Sequence, residues 1–308
     1  MHTSRFVPSS LIGLFAFTLL SLNTIFWCVP LYLFAIAKLI IPIPAWRRFC
    51  TRAIIWIAEA WITGNSVWMA FTQTCTWDVS GLDDNGLTND GWYLVVSNHQ
   101  SWVDIFVLQY IFNKRIPFLK FFLKQELIWV PIIGLAWWGL DFPFMKRYSK
   151  EEIRRRPELK GKDLETTRKA CEKFKLTPVS VMNFLEGTRF TPAKHAKQAA
   201  PYQHLLRPKA GGIAFVLAAM DGQIRTMIDV TIAYPEGIPT AWDFFCGRVH
   251  HIKVFVDKRP IPSHLLSGDY TNDPDFRQTF QTWVNDLWYE KDKRLSQMLA
   301  SHKQKNVA

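Results

Sequence analysis

Cysteine is scarce and unpaired: Cys28, Cys50, Cys75, Cys171 and Cys246 make an odd five with no CxxC spacing among them. That leaves no disulfide framework and no paired-thiol motif, and reduced, structural thiols are expected. No internal repeat or long linker divides the chain. The stretch beyond the N-terminal segment therefore reads as one large domain of about 230 residues, near the upper end for a single core. Charge is absent from residues 6–37, which hold no Lys, Arg, Asp or Glu. At about 1.5 Å per residue, even 11–29 nearly covers a bilayer core of about 30 Å, so a membrane-anchoring helix is expected. A cleaved signal peptide is the competing reading, but the run far exceeds the usual apolar region and no A-x-A signal comes after it. Acidic residues are the scarcer sign, 26 against 37 basic ones, and the formal charge of +11 implies attraction to anions. Nucleic acid would satisfy that charge, yet no nucleic-acid-binding signature is present. The basic run Arg154 to Arg156 instead leads into a solvated helix expected over 162–175.

Two polar strings stand out against this background. Asn98-His99-Gln100-Ser101-Trp102-Val103-Asp104 comes directly after a strand expected over 92–97. His99 is thereby placed in a loop beyond the carboxyl edge of a sheet, where α/β proteins bind ligands. His99 and Asp104 are five residues apart, about 140° around a regular helix, so they cannot meet if both are helical. With His99 in the loop and Asp104 in the first turn of a helix over 102–113, the carboxylate can reach back to the imidazole. It would then fix the tautomer and stabilise an imidazolium. No convincing serine or cysteine nucleophile accompanies the pair, which leaves His99 to deprotonate a hydroxyl carried by a substrate. Taken alone, the string also describes a loop histidine with Asp104 as an acid at a helix N-terminus.

The second string, Glu186-Gly187-Thr188-Arg189, comes after a β-branched and apolar run over 178–184. Gly187 permits a tight backbone and Arg189 supplies a planar fork suited to a phosphate, with Lys194 and Lys197 behind it. An ordinary strand-to-helix turn with an exposed arginine has the same appearance. The pairing of the two strings carries the weight.

Together they resemble the glycerolipid acyltransferases that acylate lysophosphatidic acid, the PlsC-like family, with its HxxxxD box and, downstream of it, an EGTR box. That family places three further signatures between the boxes. Here they read Lys124-Gln125-Glu126-Leu127, Pro131-Ile132-Ile133-Gly134 and Phe144-Met145-Lys146-Arg147, in the family's order. Lys146 stands where many bacterial members have Asp, and Leu185 where they have Pro, which is closer to a subgroup of eukaryotic-type lysophospholipid acyltransferases. A fourth element, an apolar strand ending in proline, is matched by 226–235, with Asp229 and Tyr234 departing from the commonest bacterial form. The resemblance spans 91–235.

The resemblance implies His99 as general base and Asp104 as its orienting partner. Arg147 and Arg189 would grip the acceptor phosphate. Glu186, Gly187 and Thr188 would shape the pocket around the glycerol, with Asn98 and Lys124 in support. The reaction implied is membrane-bound O-acyl transfer from a thioester, acyl-CoA or acyl-acyl-carrier-protein as co-substrate, to the 2-hydroxyl of lysophosphatidic acid. It passes through an oxyanion that needs donors in a water-poor site. No metal and no cofactor are called for. Other acceptors in the wider family are lysophosphatidylglycerol and lysocardiolipin. The alternative class is a non-catalytic lipid-binding scaffold that kept the fold, against which the His99/Asp104 pair counts, because binding a lipid needs no base.

Membrane placement and fold can be read from the same sequence. A second apolar stretch, 53–71, carries Glu59 inside it and Trp56, Trp61 and Trp68 at helical spacings, as an interfacial or half-buried helix would. Lys38, Arg47, Arg48 and Arg52 lie between the two stretches and place that linker in the cytoplasm. Two complete crossings would leave the acyltransferase domain outside, away from cytosolic donors. The expectation is an anchor over 1–75, one spanning helix or two leaflet-embedded helices, and an acyltransferase domain over 76–308 facing the cytoplasm from the inner membrane. Anionic lipid, CoA phosphates and acidic carrier protein all suit the basic surface. The uncharged segment 127–140 either lines an acyl-chain pocket, touches the bilayer, or packs as ordinary core. Strands over 92–97, 178–184, 226–234 and 249–256 alternate with helices over 102–113, 162–175 and 209–220. That order predicts an α/β fold, a mixed sheet with helices on both faces. A helix over 273–300 should dock through Phe276, Phe280, Trp283 and Leu287.

Overall fold

The computed structural model of the chain describes residues 8–83, 86–145, 150–156, 162–175 and 177–305. It opens with two antiparallel helices, α1 (Ser9–Ile40) and α2 (Pro44–Thr72). Arg47, Arg48 and Arg52 belong to α2 and Lys38 to α1, so the linker expected between the apolar stretches shrinks to 41–43. The reason is local. Pro44 takes the first helical position, where its missing N–H is no loss. Trp46 Nε1 and Arg47 Nε then donate to the carbonyls of Ala37 (3.2 Å) and Lys38 (3.3 Å), filling acceptors that the end of α1 leaves open. Midway along the pair, Asn23 Nδ2 donates to Asn65 Oδ1 and to the Trp61 carbonyl, each at 2.9 Å. A Cβ at Gly64 would meet the end of the Asn23 side chain, so glycine there leaves room for the Asn23 amide at the crossing.

The strands are β1 (Thr76–Ser80), β2 (Tyr93–Ser97), β3 (Leu119–Phe121), β4 (Leu123–Lys124), β5 (Phe144–Met145), β6 (Ser180–Phe184), β7 (Thr226–Ala233) and β8 (His251–Pro260). The later helices are α3 (Val103–Phe112), α4 (Ile133–Gly139), α5 (Lys150–Arg155), α6 (Lys162–Phe174), α7 (Pro192–Gln198), α8 (Gly211–Met220), α9 (Ala241–Phe245) and α10 (Pro274–Lys305). Six strands form one sheet in the order β1-β8-β7-β2-β6-β3, parallel throughout except between β7 and β8. β4 and β5 make a separate parallel pair.

All five residues of β2 are buried, as a central strand covered on both faces demands. Successive side chains point to opposite faces. Leu94 and Val96 enter a core with residues of α6, α8 and α10, including Phe174, Ile213 and Trp288. Tyr93 and Val95 enter a second core with residues of α2, α3 and α9, including Trp68, Val107 and Phe244. This is the mixed sheet with helices on both faces. Asp229 and Thr231 of β7 would break an apolar strand face, but they meet α10. Lys291 there is fully buried, pairs with Asp229, and donates to the Val230 carbonyl at 2.6 Å, while Arg294 reaches Asp229 at 3.3 Å.

β2 and β6 end side by side at Ser97 and Phe184, with Val230 of β7 beside Ser97 and β7 running on to Ala233. The loops after those ends carry both sequence motifs and Tyr234. The fold thus brings segments more than eighty residues apart to one carboxyl edge.

Candidate active site

His99 lies in the turn after β2 and Asp104 in the first turn of α3. His99 Nδ1 and Asp104 Oδ2 are 2.9 Å apart, with side chains 13% and 1% exposed. A carboxylate only accepts, so Nδ1 carries the proton and Nε2 is the ring nitrogen that can accept one from a substrate. Asp104 Oδ2 also accepts the backbone N–H of Gln100 (2.7 Å) and Ser101 (2.9 Å). Its Oδ1 accepts the Tyr234 hydroxyl at 2.6 Å. Burying a carboxylate costs several kcal/mol unless donors replace the lost water, and here four donors do so. The His99 ring stacks on Phe184 at 3.9 Å between centroids and 13° between planes, which fixes its face as Asp104 fixes its edge.

Asn98 clamps the loop to the sheet through a reciprocal pair, its amide donating to the Ile232 carbonyl (2.8 Å) and accepting the Ile232 N–H (2.9 Å). Ser101 Oγ donates to the Pro239 carbonyl at 2.6 Å and accepts from Val103 N, which seats the start of α3.

The second motif comes to the same place. Gly187 adopts φ +67°, a left-handed turn that disfavours a Cβ. Glu186 is fully buried, and its two oxygens accept the N–H of His99 and of Leu206, each at 2.9 Å. It braces the His99 loop through those two backbone donors. Burial pushes its carboxyl up to about 8, against the two backbone donors that favour the ionised form. The Phe190 N–H donates to the His99 carbonyl at 2.8 Å. Arg189, exposed, lays its guanidinium over the Trp102 ring, 4.7 Å from the centroid. Among the described residues no carboxylate forms an ion pair with Arg189. Thr188 Oγ1 accepts Lys194 Nζ at 2.7 Å, and the same ammonium donates to the Arg189 carbonyl, so a second cation stands beside the turn.

Lys124 is exposed on β4, paired with Met145 of β5. Arg147, two residues further on, lies outside the described residues, as does Lys146. Sequence reasoning missed Trp102 as a platform, Phe184 as a stacking partner, and Tyr234 as a donor to Asp104. The only available signal was that Tyr234 departs from a common family form.

α1, α2 and α4 border an apolar cleft. Ile133, Ala136, Trp137 and Leu140 line it together with Trp27, Leu31 and Phe142. A run of rings leads there from His99: Phe184 stands 6.3 Å from Phe121, and Phe121 stands 6.4 Å from Phe142, both stacked. The other side of that segment is solvent-facing and apolar, with Trp129 84% exposed.

By residue type, one group among the described residues could hold a metal: Glu236, His251 and His302, with ligand atoms within 4.8 Å of one another. Glu236 Oε1 and His251 Nδ1 already meet each other at 2.7 Å in a solvent-exposed position.

The chain also has known relatives. The family model described as Acyltransferase matches residues 82–235, half of the chain. The chain is 26% identical over 211 residues to the 1-acyl-sn-glycerol-3-phosphate acyltransferase delta of Homo sapiens, covering 65% of this chain and 51% of that protein. It is 25% identical over 228 residues to the gamma enzyme of Mus musculus, covering 70% and 54%. It thus spans about half the length of the curated relatives it matches. Among solved structures it is similar to the 1-acyl-sn-glycerophosphate acyltransferase of Thermotoga maritima, with TM-score 0.48 and 15% identity, covering 90% of this chain and 95% of that one.

Proposed function

The chain belongs to the acyltransferase family, and from that premise we propose that it transfers an acyl chain from a thioester, acyl-CoA or acyl-acyl-carrier-protein, to the 2-hydroxyl of lysophosphatidic acid. The observation that carries the proposal is the His99–Asp104 contact at 2.9 Å with Arg189 held three residues away on Trp102. A base and a phosphate fork on one loop cluster suit an acceptor that presents a hydroxyl and a phosphate on one glycerol. The names of the curated relatives support the same acceptor.

His99 Nε2 takes the proton of the 2-hydroxyl as the oxygen attacks the thioester carbonyl. The new C–O bond gives a tetrahedral oxyanion, which collapses with cleavage of the C–S bond. The imidazolium then returns its proton to the departing thiolate. Asp104 stabilises the imidazolium between these steps and holds the tautomer. Arg189 binds the acceptor phosphate, with Arg147 and Lys124 in support. The apolar cleft beside the ring run receives the acyl chain, where burial of each methylene is worth about 0.8 kcal/mol.

Membrane attachment accompanies this reading. α1 is long and apolar enough to cross a bilayer, but its orientation on the domain favours a different placement. Near its start, Gly13 abuts Trp242 and Cys246 by α9, and near its end Lys38 pairs with Asp141 after α4 at 2.5 Å. Those points are 25 residues apart, about 38 Å along the helix, more than a bilayer core of about 30 Å. A helix touching one domain at both ends suits a hairpin of α1 and α2 embedded in the cytoplasmic leaflet. The chain divides on this view into an anchor over 1–75 and an acyltransferase domain over 76–308.

The test is an assay of purified full-length protein with labelled acyl-CoA and a panel of lysophospholipids. Labelled phosphatidic acid formed from lysophosphatidic acid is the expected product. Preference for lysophosphatidylglycerol or lysocardiolipin would replace the acceptor. Failure to acylate any lysophospholipid with either acyl-CoA or acyl-acyl-carrier-protein would favour a lipid-binding scaffold.

A further inference from the structure

Asp104 is held more completely than the orientation of one imidazole requires. Its Oδ2 already serves His99 Nδ1 and two backbone N–H groups, and its Oδ1 accepts the Tyr234 hydroxyl at 2.6 Å. Tyr234 is buried, lies 130 residues from Asp104 in sequence, and is the first residue beyond β7. We propose that Tyr234 is a positioning residue for acyl transfer, acting on His99 through Oδ1 of Asp104. The inference rests on the reading of His99 as the base.

The physical argument has two parts. Donors on both oxygens pin the plane of the carboxylate, so that one lone pair of Oδ2 stays aimed at Nδ1. A hydroxyl donating to a carboxylate at this length is charge-assisted and draws negative charge toward Oδ1. The opposite oxygen then holds an imidazolium less tightly than it would without that donor. Among the described residues, Glu186, Lys291 and Cys75 bear on this centre from the packed elements. Asp104 pushes up the carboxyl of Glu186, in the turn after β6, and Lys291 of α10 pulls it down. Cys75, between α2 and β1, acts on Tyr234 from the other side.

A tyrosine in this position could serve the core alone, since it belongs to the same buried apolar cluster as Val103, Val107 and Ile232. Tyr234→Phe keeps the ring and removes only the O–H, so it separates packing from donation. The measurement is kcat and KM for lysophosphatidate and a labelled acyl-CoA across the pH range, using full-length protein in detergent. Tyr234→Phe should lower kcat about tenfold while both KM values stay within about twofold. The acidic limb of its kcat/KM profile should move to higher pH. Site-specific 3-fluorotyrosine at 234 is a stronger donor of the same shape and should move that limb to lower pH. It decides the matter even where Tyr234→Phe fails to fold. An acidic limb unmoved by both substitutions, or a loss confined to KM, would overturn the inference. Wild-type protein inactive on every lysophospholipid would overturn the acyl-transfer reading and this inference with it. An active wild type with an unmoved limb would overturn the inference alone.

Discussion

Glu186 and Trp102 show how single side chains join the two motif loops. Glu186 is buried with one backbone donor on each oxygen. Its carboxyl ordinarily titrates near 4.5 and is pushed up to about 8 by burial. The folded chain therefore binds the proton more tightly than the unfolded chain over that interval, and this group's contribution to stability falls as pH rises through it. Glu186→Gln should remove that slope, and should cost about 1–3 kcal/mol by setting an amide N–H against a backbone donor. Thermal midpoints of both proteins across the interval check this, and parallel curves would contradict it. Trp102 holds Arg189 face-on, an interaction worth about 0.5–2 kcal/mol. Trp102→Leu should raise the acceptor KM about threefold to tenfold with little change in kcat, and Arg189→Ala should raise it further. Steady-state kinetics with lysophosphatidate would read both, and an unchanged KM for either would remove the phosphate role.

At the scale of elements, the parts of the fold that sequence exposes are those whose pattern is locally complete. β2, β6 and β7 are β-branched apolar runs buried on both faces, and they stand within two residues of the expected bounds. β1 and β3 lie at the two edges of the sheet, where alternating or short runs give little signal. α9 has five residues, and its start is set by a Thr240–Asp243 capping box rather than by periodicity. The His99–Asp104 contact was legible because loop and helix geometry decide it within five residues. The Tyr234–Asp104 bond joins residues 130 apart, and no local pattern announces it. Asp229 is similar: it departs from an apolar strand because α10 supplies Lys291 and Arg294 some sixty residues later. Lys291→Ala should strip the buried Asp229 carboxylate of its buried cation, leaving Arg294 at 3.3 Å as its partner, and cost up to about 3–5 kcal/mol. Denaturant midpoints would show it, and pairing that change with Asp229→Asn should recover part of the loss. A midpoint unchanged by Lys291→Ala would mean that the pair adds nothing to docking α10.

For the whole molecule, the helical hairpin, the apolar cleft and the basic balance describe one surface task. α1 presents exposed Leu14, Phe15, Leu22, Phe26 and Leu33 away from the domain, while Trp129 and Trp138 add apolar surface by α4. An aqueous domain rarely leaves so much apolar surface uncovered, and lipid is the cover that suits it. The excess of eleven positive charges favours an anionic leaflet. Reporter fusions at Leu82 and at the C-terminus should both report the cytoplasmic side, and a periplasmic or external signal at either would contradict the leaflet-embedded hairpin. The long apolar helix was legible in the uncharged run of 6–37, whereas the way α1 lies along the domain depended on contacts at Trp242 and Asp141 that no local pattern encodes.

The most direct measurement is acyl transfer to lysophosphatidate by His99→Ala beside the wild type, with melting and membrane association monitored in the same preparations. Loss of about 100-fold or more in kcat, with fold and membrane binding intact, is the predicted result for removal of a general base. Activity within a factor of about two of the wild type would contradict it, because an imidazole that can be deleted at no cost is not the group that takes the hydroxyl proton.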